Sequence, residues 1–154
     1  MRGRNGISDL SDMQPAVRTP TQKRLNLLLV EDNAADRLLL QSAFREVGVN
    51  CRWRVIDHGA EAMRIGSSTL KGFQPDLILL DWQLPGATGL EVLATFKQNP
   101  EWVSTPVVMF TGMQSASHSD SAKTAGACDV LEKPIDLDDW LKIPTRIETA
   151  LLAA

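Results

Sequence analysis

The chain has no tyrosine, and no apolar run approaches the roughly 20 residues that a membrane span requires. A transmembrane helix is excluded on that ground. The N-terminus also lacks the apolar core of a secretory signal, so a cytoplasmic location is expected. Cysteine is scarce. Cys51 and Cys128 are expected on strands at opposite edges of one sheet, about 19 Å apart by strand spacing, which is too far for a disulfide. In a reducing compartment both stay free thiols. No glycine-rich fingerprint follows the first apolar run, where the residues are Glu31-Asp32-Asn33-Ala34. That argues against a dinucleotide-binding enzyme. No internal repeat is visible.

What is present suffices for one core. The apolar content is 44% of 154 residues, and one domain is the expectation at this length. Charge is unevenly spread. Arg2, Arg4, Arg18, Lys23 and Arg24 against Asp9 and Asp12 give residues 1–24 a net charge of +3; with −3 overall, the remainder carries −6. An acidic globular part argues against nucleic acid as a partner. Residues 1–24 also contain Gly3, Gly6, Pro15 and Pro20 with few large apolar side chains. They read as a disordered tail, leaving 25–154 as the folded domain.

Short apolar runs alternate with stretches of helical periodicity, the pattern of βαβ units and a parallel sheet. The first strand is expected over Leu25–Val30. Asn33, with Asp36 three residues on, can cap the next helix. Leu40, Ala43, Phe44 and Val47 give it an apolar face, and Gly48 a stop. The second strand, Cys51–Ile56, alternates, with Arg52 and Arg54 on one side. Such charges suit an edge strand. The third, over 77–80, is apolar throughout, as a strand covered on both faces should be. Thr88 and Glu91 form a capping-box pattern for a helix ending near Asn99-Pro100. The fourth strand is expected over 107–110 and the fifth over 128–131. Between them, 114–124 holds four serines and few large apolar residues, so its helix should be short or mobile. In the last helix, Asp136 is the expected cap and Leu137, Trp140 and Leu141 the apolar face. Pro144 should break it, with helix resuming over 146–152. Right-handed crossovers leave few topologies. The expected fold is α/β, a flavodoxin-like (βα)5 three-layer sandwich whose parallel five-stranded sheet runs 2-1-3-4-5. No output domain is expected within this length.

Four of the runs end in chemistry. Glu31-Asp32, Asp81, Thr111 and Lys133-Pro134 each follow a strand, and open parallel sheets bind ligands outside the carboxyl ends of their strands. Crowded carboxylates repel one another unless a cation joins them. An oxygen-rich cluster suits Mg²⁺, and a lysine facing it suits a phosphoryl group. In this order and spacing, with Leu84-Pro85-Gly86 after Asp81, these residues resemble the receiver domain of two-component response regulators. The segments 29–36 and 133–138 are most similar to stand-alone regulators of bacterial phytochrome kinases.

The resemblance implies a single-domain regulator, not an enzyme, that takes a phosphoryl group on Asp81 from a sensor histidine kinase in a phosphorelay. It implies Mg²⁺ held by Asp32, Asp81 and the Gln83 backbone carbonyl, with Glu31 orienting the metal's water shell. Lys133 would offset a phosphoryl oxygen, in many receivers across a cis bond to the following proline, and Thr111 would donate a hydrogen bond to another. Output would run through protein contacts, with homodimerisation plausible for this subfamily. His58 and His118 are isolated and expected in neither role.

Two departures stand out. The family usually places Tyr or Phe where this chain has Val130, and that ring rotates inward on phosphorylation; a valine has no ring to rotate. Trp82 is bulkier than the usual neighbour of the phosphoacceptor and is expected either to lie over the site or to pack on the adjacent loop. Val130 favours a receiver-like interaction module that dispenses with phosphorylation as the alternative. An aspartate-nucleophile phosphatase fits less well, because the second acid it needs is replaced by Gln83.

Overall fold

The structure, a computed structural model, describes residues 23–68, 70–112 and 116–153. Apart from Lys23 and Arg24, both exposed, the N-terminal tail lies outside the described residues, as do 113–115. In chain order the elements are β1 (Leu25–Val30), α1 (Ala34–Glu46), β2 (Cys51–Ile56), α2 (Gly59–Gly66), β3 (Leu77–Asp81) and α3 (Gly89–Gln98). They continue with β4 (Val107–Thr111), α4 (Ala116–Thr124), β5 (Asp129–Glu132), α5 (Leu137–Trp140) and α6 (Ile143–Ala153). All strand pairings are parallel, and the order is β2-β1-β3-β4-β5. This is the expected flavodoxin-like topology. The third and fourth strands run one residue further than their apolar runs and take in Asp81 and Thr111; the fifth is shifted by one. The reason lies in the backbone. The ladder continues past the apolar side chains, with Trp82 N–H donating to Phe110 O and Lys133 N–H to Thr111 O, both at 2.8 Å.

Side-chain alternation builds two cores, one on each face of the sheet. Leu28, Val30, Ile78, Leu80 and Met109 face α2, α3 and α4, meeting Ile65, Phe96 and Ala122. Leu27, Leu29, Leu79, Val108 and Phe110 face α1, α5 and α6, meeting Phe44, Trp140 and Ile147. Edge strand β2 is half covered. Trp53 stacks edge-on against Phe44 at 5.5 Å. Arg52 turns the other way and lays its guanidinium over the Phe73 ring at 5.4 Å, so this charge also packs. Cys51 and Cys128 are both free thiols.

Caps follow the sequence closely. Asn33 accepts from Asp36 N–H at 3.0 Å, and the Thr88–Glu91 capping box is complete. Gly48 has φ +80°, the left-handed turn that ends α1. Four expectations need correction. Val47 is exposed, because α1 ends at Glu46 and Val47 already leaves helical geometry. Leu137 and Leu141 are also exposed, and only Trp140 is buried from that face. Helix α5 is a single turn, too short to hold a face. Asp136 occupies its N-cap position without a side-chain capping bond. The break falls at Leu141-Lys142, and helix resumes at Ile143, so Pro144 lies in the first turn of α6. There its missing N–H has no intrahelical partner to lose.

Candidate functional site

The register levels four strand ends at one rim. Val30 is opposite Leu80, Asp81 opposite Phe110, and Thr111 opposite Glu132. The residues just past or at these ends therefore converge. Carboxylate oxygens of Glu31, Asp32 and Asp81 all lie within 4.8 Å of one another. Glu31 and Asp81 are buried and Asp32 is exposed. An open cleft of about 380 Å³ borders Asp32, Asp81, Gln83, Gly112 and Lys133. A cluster of hard oxygen donors open to water on one side fits a small divalent cation.

Lys133 reaches across this cleft. Its Nζ is 2.9 Å from Glu31 Oε2, 2.7 Å from Asp36 Oδ2 and 3.2 Å from Asp81 Oδ2. Burial alone would lower its pKa, but the hydrogen bonds it donates to Asp36 and Glu31, with the charges of Glu31 and Asp81, outweigh that and raise it. Glu31 goes the other way from an ordinary carboxyl. Burial pushes its pKa up to about 7, helped by the Asp81 charge and opposed by Lys133 and the Asn33 N–H. The cluster thus holds more negative charge than one lysine offsets, the condition under which a cation binds.

The other expected residues are placed as follows. Gln83 N–H donates to Asp81 Oδ1 at 3.3 Å, which brings its backbone to the cleft. Thr111 is buried at the end of β4, and its carbonyl accepts from Lys133 N–H. The Lys133–Pro134 bond is trans, since no described peptide bond is cis. Trans is the favoured state of X-Pro bonds by about 0.5–1 kcal/mol, and the Lys133 side chain reaches the cluster from it. Trp82 is absent from the cleft walls. Directly past the end of β3 it packs against the core on the opposite face of the sheet from Asp81, and its ring stacks on His118 at 4.4 Å. Val130 is buried opposite Met109.

Sequence reasoning missed Asp36 as a member of the site. Its only signal was an acid on the first turn after Glu31-Asp32. It also missed two histidine roles. His58 caps α2, accepting from Ala60 N–H at 3.2 Å, and packs on Gly86, where a Cβ would overlap the imidazole. His118 is the partner of Trp82.

Comparison with known proteins matches this geometry. The response regulator receiver domain family matches residues 27–143. The KDP operon transcriptional regulatory protein KdpE of Escherichia coli is 32% identical over 126 residues, 82% of this chain and 51% of the relative. The two-component response regulator ARR15 of Arabidopsis thaliana is 26% identical over 137 residues, 84% of this chain and 66% of the relative. The chain spans from 24% to 66% of the length of the curated relatives first matched. Among solved structures, the Mn²⁺-bound response regulator Rcp1 is 31% identical with a TM-score of 0.71, covering 81% of this chain and 92% of that one. The phosphorylated cyanobacterial phytochrome response regulator RcpA is 30% identical with a TM-score of 0.73, covering 82% and 92%. With the 2-1-3-4-5 sheet and an acidic cluster at its rim, the chain belongs to the response regulator receiver domain family.

Proposed function

We propose that the chain is a response regulator that takes a phosphoryl group on Asp81 from the phosphohistidine of a sensor histidine kinase. The observation that carries this is the convergence of Glu31, Asp32 and Asp81 within 4.8 Å, with Lys133 Nζ 3.2 Å from Asp81. An Asp81 oxygen attacks phosphorus. The new P–O bond forms as the P–N bond breaks, and the electron pair stays on the imidazole nitrogen of the donor. This is covalent catalysis by a carboxylate. Mg²⁺, when bound, neutralises charge and orients the phosphoryl group. Asp32, Asp81 and the Gln83 carbonyl would hold it, with Glu31 beside them to orient bound water. Lys133 then exchanges a carboxylate contact for a phosphoryl oxygen, and the Thr111 hydroxyl donates to another.

On this reading the chain is a phosphoacceptor rather than an enzyme, as receiver domains generally are. Residues 25–154 form the receiver and 1–24 an extension. The likeness to RcpA supports a kinase of phytochrome type. Homodimerisation through the face of α4, β5 and the last helices is part of the proposal. The net charge of −6 outside residues 1–24 speaks against nucleic acid. Among the described residues no helix is long and apolar enough to cross a membrane, in keeping with a cytoplasmic place of action.

Val130 favours a second reading, an interaction module that works without phosphorylation. Incubation with Mg²⁺ and acetyl phosphate, followed by intact mass, separates the two. A gain of one phosphoryl group in the parent and none in Asp81→Asn is expected. Equal gain at the same position in both would remove Asp81 from the role.

A further inference from the structure

We infer that His118 is a positioning residue for the chemistry at Asp81: its ring, stacked on Trp82, latches α4 in the resting arrangement. The inference rests on the phosphoacceptor reading above. The two rings lie 4.4 Å apart at 24° to one another. Trp82 follows Asp81 directly and its backbone is held on both sides. Its N–H donates to Phe110 O and its carbonyl accepts from Gly89 N–H, each at 2.8 Å. A Cβ built on Gly89 would lie 2.8 Å from Trp82 Cα, so α3 packs closely against this backbone. The indole therefore stands on a fixed post.

The helix it touches is weakly built. Residues 116–124 read Ala-Ser-His-Ser-Asp-Ser-Ala-Lys-Thr. Ser, Asp and Thr compete with helical hydrogen bonding. Among the described side chains of the helix Ala122 is the one fully buried hydrophobic residue, and His118 is its one aromatic side chain. The C-terminal end has its own anchors. Ala127 N–H donates to Ala122 O at 2.9 Å, and Lys123 lies 3.9 Å from Asp129. Nearer the N-terminal end, the stack on Trp82 ties the helix to the end of β3.

That end is the one that feels the site. Gly112 borders the acidic cleft directly after Thr111, and the chain runs from there into α4. On the phosphoacceptor reading the Thr111 hydroxyl donates to a phosphoryl oxygen, and a shift of the end of β4 toward that oxygen would shear the stack against Trp82. Val130, buried opposite Met109, has no ring with which to share this task. Aromatic pairs bias an equilibrium by about two- to tenfold. By linkage, a contact made only in the resting arrangement weakens binding of whatever selects the other one by the same factor.

The test uses the full chain with Mg²⁺ and beryllium fluoride as the phosphoryl mimic, its binding followed by fluorine NMR. His118→Ala and Trp82→Leu should each raise the apparent affinity about two- to tenfold. The double variant should gain no more than either, and His118→Phe, which keeps a flat ring, should return to the parent value. Without any ligand, amide exchange over 116–124 should quicken in His118→Ala and recover in His118→Phe. Equal or weaker affinity in His118→Ala, additive effects in the double variant, or unchanged exchange would overturn the latch. A parent that takes up no beryllium fluoride would refute the Asp81 reading instead, and the exchange result would still decide the latch.

Discussion

Lys133 Nζ lies 2.7 Å from Asp36 Oδ2, although 97 residues separate the two in sequence. This is the shortest of the contacts that the ammonium makes with Glu31, Asp36 and Asp81. Asp36 stands on the first turn of α1 and draws Lys133 toward that helix, leaving Asp81 the longer contact. Both side chains are mostly buried, so solvent screens the pair little. Asp36→Ala should lower stability by about 1.5–3 kcal/mol, the range for a hydrogen bond to a charged group. Urea denaturation in a chelator measures it. An unchanged midpoint would show that Glu31 and Asp81 hold Lys133 unaided.

Asp32 is the exposed member of the acidic cluster, which lets metal binding be separated from folding. Asp32→Ala should leave the metal-free protein within about 0.5 kcal/mol of the parent, as exposed substitutions usually do. Mg²⁺ stabilises the fold by mass action, about 2.7 kcal/mol at a hundredfold excess over Kd. Loss of a ligand should weaken the site by roughly tenfold or more. The thermal shift on adding Mg²⁺ should therefore shrink in the variant. A full shift would take Asp32 out of the ligand set.

Much of this was legible in the sequence because it is local. Apolar runs of four residues marked β1, β3 and β4, alternation marked β2, and Asn33, Thr88 and Gly48 act within one helical turn of their own positions. Glu31, Asp32 and Asp81 were legible because they follow such runs, and Lys133 because it stands just past the short run Val130-Leu131. What failed to show depends on distance. The hold of Asp36 on Lys133 spans the molecule. The stack of His118 on Trp82 joins α4 to the end of β3. Leu137 and Leu141 have the spacing of a buried face, but the chain turns away after Trp140 before that face can form.

The raised pKa of Glu31 has a sign that can be checked. Unfolded, the carboxyl titrates near 4.5; folded, at about 7. The folded state therefore keeps an extra proton between these values. Above pH 7 the charged group destabilises the metal-free fold by about 3 kcal/mol at most, at 1.36 kcal/mol per unit. As pH falls from 7 toward 4.5 that penalty fades. Glu31→Gln keeps an acceptor for Asn33 N–H and abolishes the titration. The stability difference between parent and variant, measured by urea in a chelator, should change across this window with the parent gaining on the acid side. A constant difference would mean that Glu31 is already ionised there.

Gly89 is a tight point behind the site. A Cβ there would run into the carbonyl oxygen of Asp81 and lie 2.8 Å from Trp82 Cα and 2.9 Å from Met109 Cε. Two of these neighbours are backbone and cannot turn aside, so α3 or the end of β3 must move. Overpacking of this kind costs about 1–3 kcal/mol, and Gly89→Ala should sit at the upper end. The larger effect is on chemistry. Displacing the Asp81 carboxylate by even a fraction of an ångström spoils its alignment with an incoming phosphorus, and misplacement by about 1 Å can cost a hundredfold. Phosphorylation of Gly89→Ala by acetyl phosphate should slow by about tenfold or more, as followed by intact mass. Gly112→Ala is the control for stability, because a Cβ there meets nothing within 4 Å, and its urea midpoint should match the parent. If Gly89→Ala were as stable as Gly112→Ala and took up phosphate at the parent rate, α3 would not be what holds Asp81 in place.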